Sequence, residues 1–149
     1  MKLFLVLLFL SAALFLAYVR LAPSDPARWH IDPSTANDPG GAGYLLNPGP
    51  TFALEPAELL ERIDVIAMQW PRTRQLAGSA DEGRITYVTR TKWIGFPDYT
   101  TVAVELRNGG SAPVILARLR FGGGDLGVNK RRVDAWITQL VSDVQPLDQ

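Results

Sequence analysis

From Leu3 to Val19 the chain carries no charged side chain, is interrupted only by Ser11, and is bracketed by Lys2 and Arg20. A helix that crosses a bilayer wants about 20 apolar residues, with a lower limit near 17, so this stretch is short but admissible. About a dozen Leu, Phe and Val side chains at roughly −0.3 to −0.6 kcal/mol each favour insertion on the order of −5 kcal/mol. Residues 1–20 therefore read as an N-terminal membrane anchor, outside any soluble core. A cleaved signal peptide is the rival, because Ser11-Ala12-Ala13 supplies the small residues such a cut needs. Leu14-Phe15-Leu16 would then remain on the mature terminus, which favours the uncleaved anchor. Lys2 and the terminal amine face Arg20 and Arg28 across the segment, nearly a tie by the positive-inside count. The expectation is a single-pass protein of a bacterial inner membrane with its domain in the periplasm.

The segment directly after the anchor cannot fold alone. Pro23, Pro26, Pro33 and Pro39 stand among Ser, Asp, Asn and Gly, a composition that keeps backbone extended and buries little. Residues 21–43 are expected to form a tether, about 27 Å from end to end as a flexible coil and roughly 75 Å if fully extended. Residues 44–149 leave room for one domain, large enough to fold without disulfides or metals. The chain has no cysteine, which excludes thiolate metal sites, thiol nucleophiles and a lipid-bearing cysteine. Fifteen basic and fifteen acidic residues give a net charge of +0, which argues against nucleic acid as a partner.

Within the domain, Leu54-Glu55-Pro56-Ala57-Glu58 marks a helix start, and Leu59, Ile63, Ile66 and Trp70 recur on one helical stripe that Pro71 ends. Four alternating segments come next, approximately Arg72 to Ala77, Arg84 to Ile94, Tyr99 to Arg107 and Ala112 to Phe121. Asp81-Glu82-Gly83, Gly95-Phe96-Pro97-Asp98 and Asn108-Gly109-Gly110 supply the turns between them. The pleat gives one apolar face with Ile85, Tyr87, Val102, Val104, Leu106, Ile115, Leu119 and Phe121. After Gly122-Gly123-Gly124, a second amphipathic helix carries Val133, Trp136, Ile137, Leu140 and Val141. The predicted fold is α+β: a four-stranded antiparallel sheet with both helices on one face, in the order helix, four strands, helix. Residues 143–149 are expected to fray.

Three strings in this region are Pro71-Arg72-Thr73, Gly95-Phe96-Pro97-Asp98-Tyr99, and Asp125-Leu126-Gly127-Val128-Asn129 followed by Arg131-Arg132-Val133. On these the chain resembles the bacterial and plastid family catalogued as domain of unknown function 1499. His30-Ile31-Asp32-Pro33 is similar to a segment of alphaproteobacterial members with a comparable leader. The resemblance implies the identity of the domain and no activity, so it carries over no catalytic or binding residue. Cysteines that precede the domain in many members are missing here, and the membrane segment does their anchoring.

Candidate chemistry is sparse. His30 and Asp32 have the right types for an acid–base pair or metal ligands, yet both lie in the tether, where nothing is expected to hold them rigidly. The glycine run before Asp125 has no Gly-Lys-Ser/Thr ending, so a joint and a capped helix, with Asp125 and Asn129 as capping candidates, is favoured over a phosphate cradle. Asp98 and Asp125 both follow strand ends and, brought together, would form with Asn129 a polar site able to divide acid and base roles. Alternation places Arg84, Arg90, Lys92, Arg118 and Arg120 on the sheet face away from the apolar one, with Glu105 as the main acid and Val88, Ala103, Val114 and Leu116 between them. Such a face suits anionic lipid or an acidic envelope protein. The leading expectation is thus a membrane-tethered binding module that engages either partner through this basic face, with no cofactor and no metal. Its alternatives are a hydrolytic or metal-assisted enzyme using Asp98 and Asp125, and a structural scaffold of an envelope complex.

Overall fold

The computed structural model describes residues 1–147. The N-terminal segment forms one helix, α1 (Lys2–Leu21), with a mean hydropathy of 2.4, long and apolar enough by length and composition to cross a membrane. A short helix, α2 (Pro26–Trp29), and two single 3₁₀ turns lead to strand β1 (Gly43–Leu46). Then come α3 (Pro56–Gln69), β2 (Thr73–Ser79), β3 (Arg84–Arg90), β4 (Pro97–Arg107), β5 (Gly110–Leu119) and α4 (Val128–Asp143).

The strands form one antiparallel sheet in the order β1-β5-β4-β3-β2, so it has five strands rather than the four expected. The unforeseen one, β1, pairs Gly43 with Arg118 and Leu46 with Ile115. Four residues are too few to show an alternation, and what makes them a strand is a partner far along the chain. Gly43 is required there, because a Cβ would run into the Ala117 carbonyl and the Pro39 ring. Strand ends also shift from those expected. The third predicted strand starts at Pro97, and the second stops at Arg90, which leaves Lys92 in a loop and off the sheet. The β4–β5 hairpin closes as the Asn108-Gly109 signal requires, with Gly109 at φ 85°.

Both α3 and α4 pack on one sheet face. The α3 stripe buries Leu59, Leu60, Ile63 and Ile66 against Ile85, Tyr87, Val102 and Ile115. From α4 come Val133, Trp136 and Leu140, and the Trp136 ring meets Tyr87 edge-on with 5.7 Å between centres. At about 1.5–3 kcal/mol for each fully buried Leu, Ile or Val, this layer supplies most of the hydrophobic stabilisation. Pro56 at the first turn and Pro71 beyond Trp70 set the limits of α3. The chain beyond α4 is tied down further than expected: Leu147 donates its N–H to the Thr51 carbonyl at 2.7 Å, and Pro146 bridges to Phe52. Residues 148–149 of the segment expected to fray lie outside the described residues.

The opposite sheet face is covered too. Of residues 21–43, expected as a free tether, the stretch 22–42 runs along this face from the end of α1 to β1 as a strap. Trp29 is buried and stacks flat on Tyr99, ring centres 3.9 Å apart at 10°. Ser24 and Tyr99 share a hydroxyl hydrogen bond of 2.7 Å, and Gly41 accepts from the Asp125 N–H. The prolines fix the path without needing ladder partners, which is how a sequence poor in apolar residues still lies against a sheet.

Candidate functional site

The arginines of the outer face are mostly committed to this strap. Arg118 donates to the Trp29 carbonyl at 2.9 Å and lies 5.1 Å over the indole, which also has the Arg28 guanidinium 4.9 Å away. Arg120 donates to the Pro23 carbonyl and to the Tyr99 hydroxyl. Arg84 donates to His30 Nε2 at 3.2 Å, so that nitrogen accepts and the imidazole proton is left on Nδ1, where it reaches Thr86 Oγ1 at 2.8 Å. Burial, and next the Arg84 charge, push the His30 pKa down against an opposing pull from Glu82. The imidazole thus serves as a neutral clasp. Asp32 is apart from it, accepting from the Ser34 N–H at the start of a 3₁₀ turn.

Asp98 and Asp125 do come together, lining one small cavity of about 120 Å³ with Phe96, Phe121 and Val128. Each already has an occupation. Asp98 is buried and lies 3.6 Å from Arg132, which is itself 3% exposed. Burial pushes the Asp98 pKa up against the attraction of Arg132, and burial likewise lowers that of Arg132. Arg132 also donates to Thr100 Oγ1 at 3.2 Å and to Asn129 Oδ1. Asp125 accepts from the Gly127 and Asn129 N–H groups, both at 2.8 Å, and so fills the N-terminus of α4 with its own carboxylate. Burial alone would raise its pKa, but these hydrogen bonds together hold it below the usual range. Asn129 is therefore a buried acceptor for Arg132 and no cap. No group of three or more His, Cys, Asp or Glu with metal-ligand geometry occurs among the described residues.

A third arrangement lies where α1 meets the sheet. A cleft of about 510 Å³ is lined by Arg20, Arg72, Arg74, Arg90 and Lys92, together with Thr73, Val88, Thr91 and Gly95. Five cations line it and no acid does, and none of the five is in an ion pair among the described residues. Their hydrogen bonds go to neutral carbonyls: Arg90 to Gly95 and Val19, Arg20 to Trp93 and Ile94, Arg72 to Arg90. A carbonyl orients a guanidinium without cancelling its charge. Burial lowers the Arg90 pKa, Tyr99 opposes this, and Arg74, Arg120 and Arg20 lower it further. Arg72 holds a left-handed backbone at φ 58°, a conformation that costs a non-glycine residue of order 1–3 kcal/mol and directs its chain back over the β3 end.

Of the residues expected on a basic face, then, Arg90 and Lys92 reach this cleft, while Arg84, Arg118 and Arg120 hold the strap. Arg20, Arg72 and Arg74 were not foreseen as members, because Arg20 ends α1 while Arg72 and Arg74 lie at the start of β2, and only the fold brings the two places together. Arg132 had a visible signal: it stands three residues from Asn129 and four from Trp136, on the buried stripe of α4.

A profile of the family described as protein of unknown function (DUF1499) matches residues 24–140. The match takes in the strap as well as the sheet and leaves out α1. No curated protein and no solved structure matches the chain. The chain belongs to the DUF1499 family.

Proposed function

We propose that this member of the family is a membrane-mounted binding module whose cleft takes the phosphate of an anionic lipid headgroup. The observation that carries the reading is the set of five cations around one acid-free cleft, beside the C-terminal end of a helix suited to a bilayer. Cations near an anionic leaflet are worth about 1 kcal/mol each, falling off within a Debye length. A bound phosphate would relieve the mutual repulsion of Arg74 and Arg20 with Arg90, which the neutral carbonyls around them leave in place. The hydrolytic alternative has less support, since Asp98 is engaged with Arg132 and Asp125 with the α4 terminus. A scaffold would need no cation cluster.

The test uses the full-length chain in neutral detergent with native mass spectrometry. Phosphatidylglycerol should be retained by the wild type, and Arg74→Ser with Lys92→Ser should weaken retention at least about tenfold, as expected for two lost cations at a small site. Retention of inorganic phosphate but not of the lipid would move the ligand to the soluble phase. Equal retention of phosphatidylglycerol and phosphatidylcholine by wild type and variant would remove the cleft from the account.

A further inference from the structure

The end of the domain nearest α1 does more than approach it. Phe96 packs edge-on against Phe15 of the helix at 6.3 Å, Phe121 meets Tyr18 at 5.9 Å, and Phe96 and Phe121 touch each other at 5.8 Å. Leu3 to Val19 measures about 25 Å at 1.5 Å per residue, already less than the roughly 30 Å of a hydrocarbon core. Such a helix has no turn to leave in water. Phe15 therefore lies about 6 Å below Val19 along the axis, at the edge of the apolar layer, and the backbone of the loop whose Phe96 ring reaches it lies just above, at the interface.

The loop that touches it is built for a dry setting. Between β3 and β4, the Thr91 N–H bonds to the Phe96 carbonyl, and Thr91 Oγ1 accepts from the N–H groups of both Gly95 and Phe96. Arg20 takes the carbonyls of Trp93 and Ile94, and Arg90 that of Gly95. Exposed non-helical backbone is excluded from the hydrocarbon itself, so a loop bonded this far internally fits the hydrated interfacial layer above it. The side chains on the outside of this loop and of the turn before α4 are apolar: Trp93 is 79% exposed and Leu126 is 93% exposed, next in sequence to the partly exposed Ile94 and close to Val128. Lys92, 4.9 Å from the Trp93 ring, has the length to keep its ammonium among headgroups.

We infer that the Thr91–Phe96 loop and the Leu126 turn form a second membrane contact, seated in the interfacial layer of the same leaflet that α1 leaves. The domain then sits on the bilayer in one orientation, with the β4–β5 hairpin at Arg107 to Gly110 pointing away. Seating of the loop needs only α1 and the exposed apolar side chains of the loop and the Leu126 turn, and is independent of whether the cleft takes an anion.

Because the chain has no cysteine, single labels can be placed cleanly. Trp93→Cys, Leu126→Cys, Phe9→Cys and Leu106→Cys variants of the full-length chain would each carry an NBD fluorophore in liposomes of phosphatidylcholine alone, so that lipid charge plays no part. Leu106 is 75% exposed at the far end of the sheet and serves as the aqueous reference. Labels at Trp93 and Leu126 should be quenched by lipids spin-labelled near the headgroup several-fold more than the label at Leu106, and be shielded from aqueous iodide. Iodide access at Trp93 and Leu126 equal to that at Leu106, with Phe9 buried in lipid, would overturn the second contact while leaving the anchor. An aqueous Phe9 would overturn both.

Discussion

The two faces of one sheet are covered by different chemistry. On the α3 and α4 side, Leu59, Ile63, Val133 and Leu140 meet Ile85, Val102 and Ile115 in a layer held by apolar burial. On the strap side the cluster is Trp29, Val88 and Tyr99 with Leu76, and cohesion comes as well from Arg118, Arg120 and Thr101, all bonded to strap carbonyls. A cationic, half-apolar sheet face therefore need not be a surface at all. Its arginines can be the fastening for a segment of the same chain.

The largest effect should come from the buried ion pair on the helix side, Arg132 with Asp98. Arg132→Met strands the buried Asp98 and should cost about 3–5 kcal/mol by urea denaturation in detergent. Adding Asp98→Leu should recover much of that loss, since replacing both members of a buried pair is often near neutral. A double variant as unstable as the single would show that Thr100 and Asn129, rather than the ion pair, organise this layer.

Trp29→Ala should cost about 3 kcal/mol, the low end for a buried aromatic, because the strap can detach while the helix side stays folded. Hydrogen exchange is the check: protection should fall across residues 22–43 and hold in α3 and α4. Loss of protection on both sides together would mean that the faces are one cooperative unit.

The smallest effect is that of pH. His30 has a folded pKa below its unfolded 6.5, so between those two values the unfolded chain binds more protons. Strap stability should therefore be complete above about pH 6.5 and decline as the pH falls toward the folded value. Protection factors in residues 22–43, each referred to intrinsic exchange at that pH, should fall as the pH is lowered over this range in the wild type and be flat in His30→Gln, with Arg84, Glu82 and Thr86 unchanged around it.

Much of the helix side was legible because it repeats: the stripe from Leu59 to Trp70 and the alternation around Val102 and Ile115 are periodic over enough residues to be read. The strap was not, since Pro, Ser and Gly give no period, and Trp29 among them looks like an isolated aromatic until Tyr99 is placed beneath it. The same holds for β1, whose pairing with β5 is a tertiary choice. Asp98 and Asp125 could be named as candidates from their positions after strands, but their engagement with Arg132 and with the α4 N–H groups depends on distances no spacing encodes. The acid-free cleft was half visible in Arg90 and Lys92, and needed Arg20 and Arg72 brought in from either side of the strap and α3.

Gly43 pairs with Arg118, a residue most of the domain away along the chain. An edge strand made early in synthesis must wait, unpaired, until Gly110–Leu119 has been made and β5 arrives to receive it. Ordering so much intervening chain before that contact forms makes folding slow for a domain of this size. The strap shortens that search, because its contacts with Tyr99, Arg118 and Arg120 lie on the same strands that β1 must join, so the waiting segment is delivered to one edge of the sheet.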